Sequence, residues 1–285
     1  MTLAPLPQIL IEPLARAALL EDLGRAGDIT TDAIAPAGLA ITAALVARQA
    51  GVIAGLDLAR LAFALLDPRI AFEIERPDGA SVGAGETVAR VSGPARGILS
   101  AERVALNFVS RLSGVASATA AIVASVAGTK AKIVCTRKTT PTLRTIEKYA
   151  VRAGGGVNHR FGLDDAVLIK DNHVAVAGGI IPAIRRAKAS VGHLVKIEVE
   201  VDTLAQLDEA LAEGVDAVLL DNMDVDALRQ AVDRIAGRAI AEASGRVTPQ
   251  SAPAIAATGV DLISVGWLTH SAPILDIGLD FDFRA

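Results

Sequence analysis

Two hydrophobic periods divide the chain. Apolar residues recur every three to four positions over residues 8–23 and again along "ILSAERVALNFVSRLSGVASATAAIVASVAG", which predicts two amphipathic helices, the second about thirty residues long. Ser100 stands where an N-cap would open that long helix, Gly128 where it would close, and Gly114 where it would bend. Between the helices, "ITAALVARQAGVIAG" reads as strand and glycine turn, followed by the helix "LDLARLAFALL". "IAFEIERPDGASVGAGETVARVSG" alternates in short runs broken by Asp-Gly and Gly-Ala-Gly, the pattern of antiparallel strands joined by tight turns.

From Ala131 the pattern becomes a steady exchange of apolar strand and amphipathic helix. The strands are "AKIVCT", "DAVLIKD", "VKIEVEV", "DAVLLDN", "RAIAEAS" and "DLISVG", and Gly154, Gly214, Gly237 and Gly259 punctuate the segments between them. Repeated βα units specify a parallel sheet, and the short spacing favours one curled into a barrel over an open one. Each strand ends in a group capable of chemistry: Arg137 and Lys138, Lys170 and Asp171, Glu200, Asp221 and Asn222, Glu242 and Ser244, Gly266. Parallel strands bring those ends to a single rim. In "KIEVEV" the period of two sets Lys196, Glu198 and Glu200 on one face, which is expected to look into the barrel mouth.

Charge sharpens this picture. The chain has a formal net charge of −4, yet residues 130–170 hold nine Lys/Arg against three acids, a local +6. A local cluster in an acidic chain points to a small, multiply charged ligand and away from nucleic acid. Guanidinium groups grip carboxylate or phosphate in bidentate fashion, so Arg137, Lys138, Arg160 and Lys170 suit a dicarboxylate, a pyrophosphate, or both. Arg144, Lys148 and Arg152, four residues apart, read as a solvated helix face. Glu200 and Asp221, facing such a ligand, would hold Mg²⁺ or sugar hydroxyls, or else pair with Lys170 or Lys196. The small residues of "EASGR" and "SVGWLTHS" suit backbone contacts to phosphate. The single Cys135 excludes an internal disulfide and fits a reducing cytoplasm. The N-terminus lacks the basic start of a signal peptide, and the apolar stretch "VASATAAIVASVAG" is too short for a membrane span. These features specify an enzyme acting on a multiply anionic substrate and a phosphorylated sugar. A Schiff-base aldolase using Lys170 and a non-catalytic anion-binding cup remain open on the residues alone.

The segments "EDLGRAGDITTDAI", "AERVALNFVSRLSGVA", "TRKTTPTLR", "GGGVNHRFGLDDAVLIKDNH", "EVEV", "AVLLDN", "EASG" and "SVGWLTHS", in this order, resemble the quinolinate phosphoribosyltransferase family over nearly the full chain. The resemblance implies an N-terminal open α/β sandwich over residues 1–114, rejoined by the tail 272–285, and an incomplete α/β barrel over 115–271. It also implies transfer of phosphoribosyl from phosphoribosyl pyrophosphate to quinolinate with Mg²⁺, giving nicotinate mononucleotide, CO₂ and pyrophosphate. By the same resemblance Arg137, His159, Arg160 and Lys170 hold the quinolinate carboxylates. Arg103 reaches the site from the partner subunit of a homodimer, and assembly of dimers into hexamers is left open. Lys138, Glu200 and Asp221 serve the sugar donor and its metal, directly or through the pyrophosphate. Ser244, Gly245, Ser264, Val265 and Gly266 cradle the 5-phosphate, and Thr136 and Arg246 are counted with the substrate-binding residues. Two positions depart from the family pattern: Thr142 stands where glycine is usual, and Arg246 where glycine or asparagine commonly follows "SG".

Overall fold

The computed structural model describes residues 3–281. The chain forms two compact units: one takes the residues up to Ala120, Pro141–Gly155 and the chain from Ser271 on, and the other takes Ala121–Thr140 and Gly156–His270.

The first unit opens with α1 (Gln8–Leu23) and α2 (Ile29–Ile34), then β1 (Ala40–Ala47), β2 (Gly51–Val52), α3 (Leu56–Leu66), β3 (Ala71–Ile74), β4 (Ser81–Val82), β5 (Thr87–Pro94) and α4 (Ala95–Ser125). β1 pairs with β5 and β5 with β3, all antiparallel, while β2 and β4 form a separate two-stranded ladder. Along β1 the alternation places Ala43, Leu45 and Ala47 in the core. On α4, Ile98, Ala101, Ala105, Val109 and Leu112 fall on one face by the three- and four-residue spacing and are fully buried.

Two expectations for α4 change, and Gly114 takes on a role that the local pattern did not suggest. Ser100 lies inside the helix, not at its start, and its hydroxyl donates to Asp28 Oδ2 (2.9 Å), whose other oxygen caps α2 by accepting the Thr31 N–H (2.9 Å). By length and composition α4 is long and apolar enough to cross a membrane, contrary to the stretch expected within it; half of its most apolar window is buried, as in the core helix of a globular unit. Gly114, the expected place of a bend, lies inside the helix, which runs on to Ser125. It admits the C-terminal segment: a Cβ at Gly114 would lie 2.0 Å from Pro273 O and 2.8 Å from Ile274 Cα. Leu275 N–H bonds to Ser110 O (3.0 Å) and Arg111 donates to Ala272 O (3.0 Å), which fixes that crossing.

The second unit begins with β6 (Lys132–Val134). The next helix, α5 (Arg144–Ala153), belongs to the first unit, and its middle is not a solvated basic face: Glu147 and Lys148 are fully buried, and Glu147 Oε1 accepts from Arg111 at 2.8 Å. Then follow β7 (Val167–Ile169), α6 (Asp171–Ala177), α7 (Ile180–Ser190), β8 (Ile197–Val201), α8 (Leu204–Ala212), β9 (Ala217–Asp221), α9 (Val225–Ile235), β10 (Ile240–Ser244), α10 (Ala252–Ala256) and β11 (Leu262–Ser264). The sheet order is β6-β11-β10-β9-β8-β7, with every neighbouring pair parallel. A 3₁₀ turn at Gly266–Thr269 follows β11. The last strand, β12 (Ile277–Phe281), completes the first unit by pairing antiparallel with β1. Residues 282–285 of the expected returning tail lie outside the described residues.

Substituting alanine at Gly114 forces a methyl group into the Pro273 carbonyl, a backbone atom that has no rotamer with which to yield. The expected loss is about 2 kcal/mol or more of unfolding free energy, measured by urea denaturation. An unchanged midpoint would mean that the C-terminal segment does not cross α4 there.

Candidate active site

Strand register decides which side chains share a face. Glu242 sits opposite Leu219 and Leu262, Ser244 opposite Asp221, Glu200 opposite Leu219, and Leu168 opposite Glu198. With alternation, Leu168, Glu198, Glu200, Leu219, Asp221, Glu242, Ser244 and Ser264 fall on the same side of the sheet. A cavity of about 340 Å³ is lined by Thr136, Arg137 and Lys138 beyond β6 and by Leu168 and Lys170 at β7, the two edges of the sheet order, with His159, Glu200, Asp221, Glu242 and Ser264 between them. One cavity touching both edges requires the sheet to curl, so the unit is an α/β barrel left incomplete between β6 and β7. A second cavity of about 350 Å³ shares Thr136, Lys138, Asp221, Ser244 and Ser264 and continues to Gly245, Arg246 and Gly266. A larger space of about 480 Å³ beside β7 and α7 is lined mostly by Leu, Ile, Val and Ala and lacks the acids of the rim.

At the floor of the first cavity His159 meets two acids, Glu198 and Glu242, to which the resemblance gave no role. His159 Nδ1 accepts the Arg160 backbone N–H (2.8 Å), so the ring proton sits on Nε2, which donates to Glu198 Oε2 (2.8 Å). Glu242 Oε1 lies 3.7 Å from the same Nε2, is buried and has no hydrogen-bond partner. Burial, and then the negative charge of Glu198, push the Glu242 carboxyl up to about 8, so this pair holds one proton at neutral pH. Glu198 and Glu242 were legible as inward-facing strand residues. Only the loop carrying His159 shows that they form a cluster.

Above this floor stand the cations. Arg160 donates to Ala166 O (3.0 Å), and its loop is pinned where Asp165 accepts the Phe161 and Gly162 N–H groups (2.6 and 2.9 Å). Burial, and then the nearby charge of Arg137, lower the Arg160 pKa from its ordinary value. Arg137 Nε and Arg160 Nε are both buried without an acceptor. Buried donors left unpaired are costly, and an anionic ligand in the cavity would satisfy them. Lys170 Nζ pairs with Glu200 Oε2 at 3.0 Å, one of the two partnerships anticipated for that acid. Asp221 Oδ2 accepts from the Asn222 amide (2.5 Å), which leaves its charge unneutralised.

The phosphate-sized end is built from the turns after β10 and β11. Gly245, at φ +106°, is obligatory, because a Cβ there would meet Asn222 Oδ1 at 2.3 Å. Trp267 Nε1 donates to Val247 O (2.9 Å) and ties one turn to the other, and Thr269 Oγ1 donates to Lys138 O (2.7 Å), holding the lysine's segment alongside. Both departures from the family pattern, Thr142 (φ +69°) and Arg246 (φ +49°), occupy the left-handed region where glycine would be unstrained.

The structure thus gathers Thr136, Arg137, Lys138, His159, Arg160, Lys170, Glu200, Asp221, Ser244, Gly245, Arg246, Ser264 and Gly266 around two contiguous cavities. Val265 does not line them: it is buried and its N–H bonds to Val134 O (2.9 Å). Lys196 is likewise not in the mouth. It lies at the opposite end of β8, exposed and paired with Asp216 at 2.5 Å. Arg103 is an exposed residue of α4 in the first unit.

Fold and site together define an enzyme of the parallel α/β-barrel class, with a cationic pocket for anionic substrates at the C-terminal ends of its strands. Models of the quinolinate phosphoribosyl transferase N-terminal and C-terminal domains match residues 28–113 and 115–280, and the chain belongs to this family. It is 50% identical over 272 residues to the nicotinate-nucleotide pyrophosphorylase (carboxylating) of Mycobacterium leprae, covering 93% of this chain and 95% of that one. A probable enzyme of the same name from Bacillus subtilis is 45% identical over 261 residues, covering 92% and 90%. Among solved structures, NadC from Streptococcus pyogenes superposes with a TM-score of 0.93 at 42% identity, covering 98% of this chain and 99% of that one. The nicotinate-nucleotide pyrophosphorylase from Francisella tularensis gives 0.94 at 38%, covering 99% of each.

The raised Glu242 carboxyl makes stability depend on pH. Because the folded state holds this proton more tightly than the unfolded chain, its contribution is complete below about pH 4.5 and is lost as pH rises to about 8. Glu242→Gln, which mimics the protonated acid, is expected to gain on the native protein steadily across that window in urea-midpoint measurements. Parallel pH profiles for the two proteins would show that Glu242 is ionised in the fold.

Proposed function

We propose that this enzyme transfers phosphoribosyl from phosphoribosyl pyrophosphate to the ring nitrogen of quinolinate, with loss of the 2-carboxylate, in the de novo synthesis of NAD. The observation that carries this reading is the pair of guanidiniums of Arg137 and Arg160, whose buried Nε donors are unpaired and which line one cavity. Two such forks match a planar ring bearing adjacent carboxylates. The continuation of that cavity past Lys138 and Asp221 to the glycine turns matches a sugar phosphate.

In this reading Arg137, His159, Arg160 and Lys170 hold the two carboxylates. His159, fixed as the Nε2–H form, keeps the Arg160 backbone in place. Arg103 is assigned to the site of the partner subunit in a homodimer, a role that suits an exposed arginine on α4. Ser244, Gly245, Ser264 and Gly266, with Val265 as the buried strut between the last two, receive the 5-phosphate, and Thr136 lies where the two cavities join.

The transfer breaks the bond from C1′ to pyrophosphate and forms the bond to the ring nitrogen through an oxocarbenium-like state. Lys138 stands where it can neutralise the departing charge, so most of the acceleration comes from fixed cations. The alkylated ring is then cationic and retains the electron pair at C2 when the carboxylate leaves as CO₂. That carbon takes up a proton to give nicotinate mononucleotide. Closure of the arginines on the remaining carboxylate keeps water from the carbanion.

The donor set also fits Mg²⁺. Asp221 and Glu200 are hard oxygen donors on adjacent strands, and a magnesium ion held mainly by phosphate oxygens takes one or two protein carboxylates, directly or through water. When bound it would supply counter-charge to the pyrophosphate. A reducing cytoplasm suits the single buried thiol of Cys135, although the curated Arabidopsis relative is named as chloroplastic.

Purified protein given quinolinate, phosphoribosyl pyrophosphate and Mg²⁺ is expected to release CO₂ and nicotinate mononucleotide, and to form none from nicotinic acid. Product from nicotinic acid alone would overturn the assignment. Arg160→Ala should raise the KM for quinolinate by about 100-fold and that for the sugar donor far less, since it removes charged hydrogen bonds to one ligand only. Asp221→Ala should do the reverse. Equal losses for both ligands in steady-state kinetics would contradict the division of labour.

A further inference from the structure

At Arg246 the backbone and the side chain have opposed requirements. The φ of +49° follows Gly245 at +106°, so two successive residues of the β10–α10 turn are left-handed. Such a backbone costs a residue with a Cβ on the order of 1 kcal/mol, whereas glycine adopts it freely. Arg246, an exposed residue, nevertheless stands among those lining the cavity of about 350 Å³, together with Lys138, Asp221, Gly266, Trp267 and His270.

Among the described residues Arg246 has no ion-pair partner and no side-chain hydrogen bond. Asp221, the carboxylate on that cavity wall, is engaged by the Asn222 amide. Lys138 reaches the same space, its Cδ lying 3.1 Å from where a Cβ on Gly266 would be. Two cations therefore stand on a space that holds one carboxylate, Asp221, beside Trp267, His270 and the small residues of the turns, so positive charge is in excess there. Like charges placed together are unfavourable until an anion joins them.

The Trp267 indole N–H is already spent on Val247 O and offers a ligand no donor. What fits is a compact dianion carrying several acceptor oxygens, which a guanidinium can grip through two of them. We infer that Arg246 is a phosphate-recognition residue, closing over a phosphate monoester seated between the β10 and β11 turns. The inference rests on the proposed function in one respect: there the monoester is the 5-phosphate of the phosphoribosyl donor. The strain in the turn is offset only when that ligand is bound. Arg246 therefore costs stability in the free protein and contributes affinity in the complex.

Ribose 5-phosphate is the probe, with binding measured by calorimetry on the full chain at low and moderate salt. Arg246→Ala removes the guanidinium and keeps the strained backbone, while Arg246→Gly removes both. Each variant is expected to bind ribose 5-phosphate about tenfold more weakly, the loss of one charge-assisted contact. Each should also show a shallower salt dependence and leave the affinity for quinolinate within about twofold, because Arg246 does not line that cavity. Arg246→Gly should melt at a higher temperature than Arg246→Ala, which separates relief of backbone strain from loss of charge. In turnover the change should fall on the KM for the donor rather than on kcat.

Equal ribose 5-phosphate affinity in the native protein and Arg246→Ala would overturn the inference. So would an effect of Arg246 on inorganic pyrophosphate binding alone, since the residue would then face the leaving group. Ribose 5-phosphate binding that depends on Arg246 in a protein that does not turn over quinolinate would uphold the inference while removing the proposed function.

Discussion

The parallel register of six strands is the constraint on which the site depends. Glu242 opposite Leu219 and Ser244 opposite Asp221 are consequences of one backbone ladder, and a slip of one residue in β10 would turn both polar groups away from the cavity. The register is protected by what the other faces bury. Val199, Val201, Val218, Leu220, Ala241 and Ala243 alternate with the polar row and are almost wholly inaccessible. Moving them into a charged cavity while exposing Glu198 and Glu242 to the apolar layer would be prohibitive. The apolar face thus fixes where the chemistry points.

That fixed row creates an electrostatic problem with two solutions in the same cavity. At the floor, two buried carboxylates lie beside the His159 imidazole, and the conflict between them is relieved by retaining a proton on Glu242. Higher up, half-buried guanidiniums cannot shed their charge, and their two buried Nε donors stay unpaired. A proton is available from water at any time, whereas the acceptors for arginine must arrive with a ligand. The floor is therefore complete without substrate and the rim is not. Differential stabilisation of this kind is what lets fixed cations lower a barrier rather than merely hold a ground state.

Much of this was legible in the residues. The helical and two-residue periods identified the long helix and all six parallel strands, and placing polar residues at strand ends picked out Arg137, Lys138, Lys170, Glu200, Asp221 and Ser244. The misreadings have physical causes. Lys148 carries the charge of a surface residue yet is fully buried, since periodicity does not reveal which neighbour covers a helix face. Lys196 shares a face with Glu198 but lies at the other end of the strand, where Asp216 pairs with it, because alternation defines sides and not ends. Gly114 read as a place for the helix to bend, and the local pattern did not show that its lack of a side chain serves a segment some 160 residues later in the chain.

By itself the sequence determined the order and type of the elements and the side of each strand that would carry charge, because both follow from spacings of two to four residues. The local excess of positive charge, and hence an anionic ligand, was equally a property of the string. Only the tertiary structure decided that His159 meets Glu198 and Glu242, that Arg160 feels Arg137, and that the two glycine turns are tied through Trp267. Those partners lie 20 to 83 residues apart in the chain, and a contact at that range depends on loop closure and packing, which no local pattern encodes.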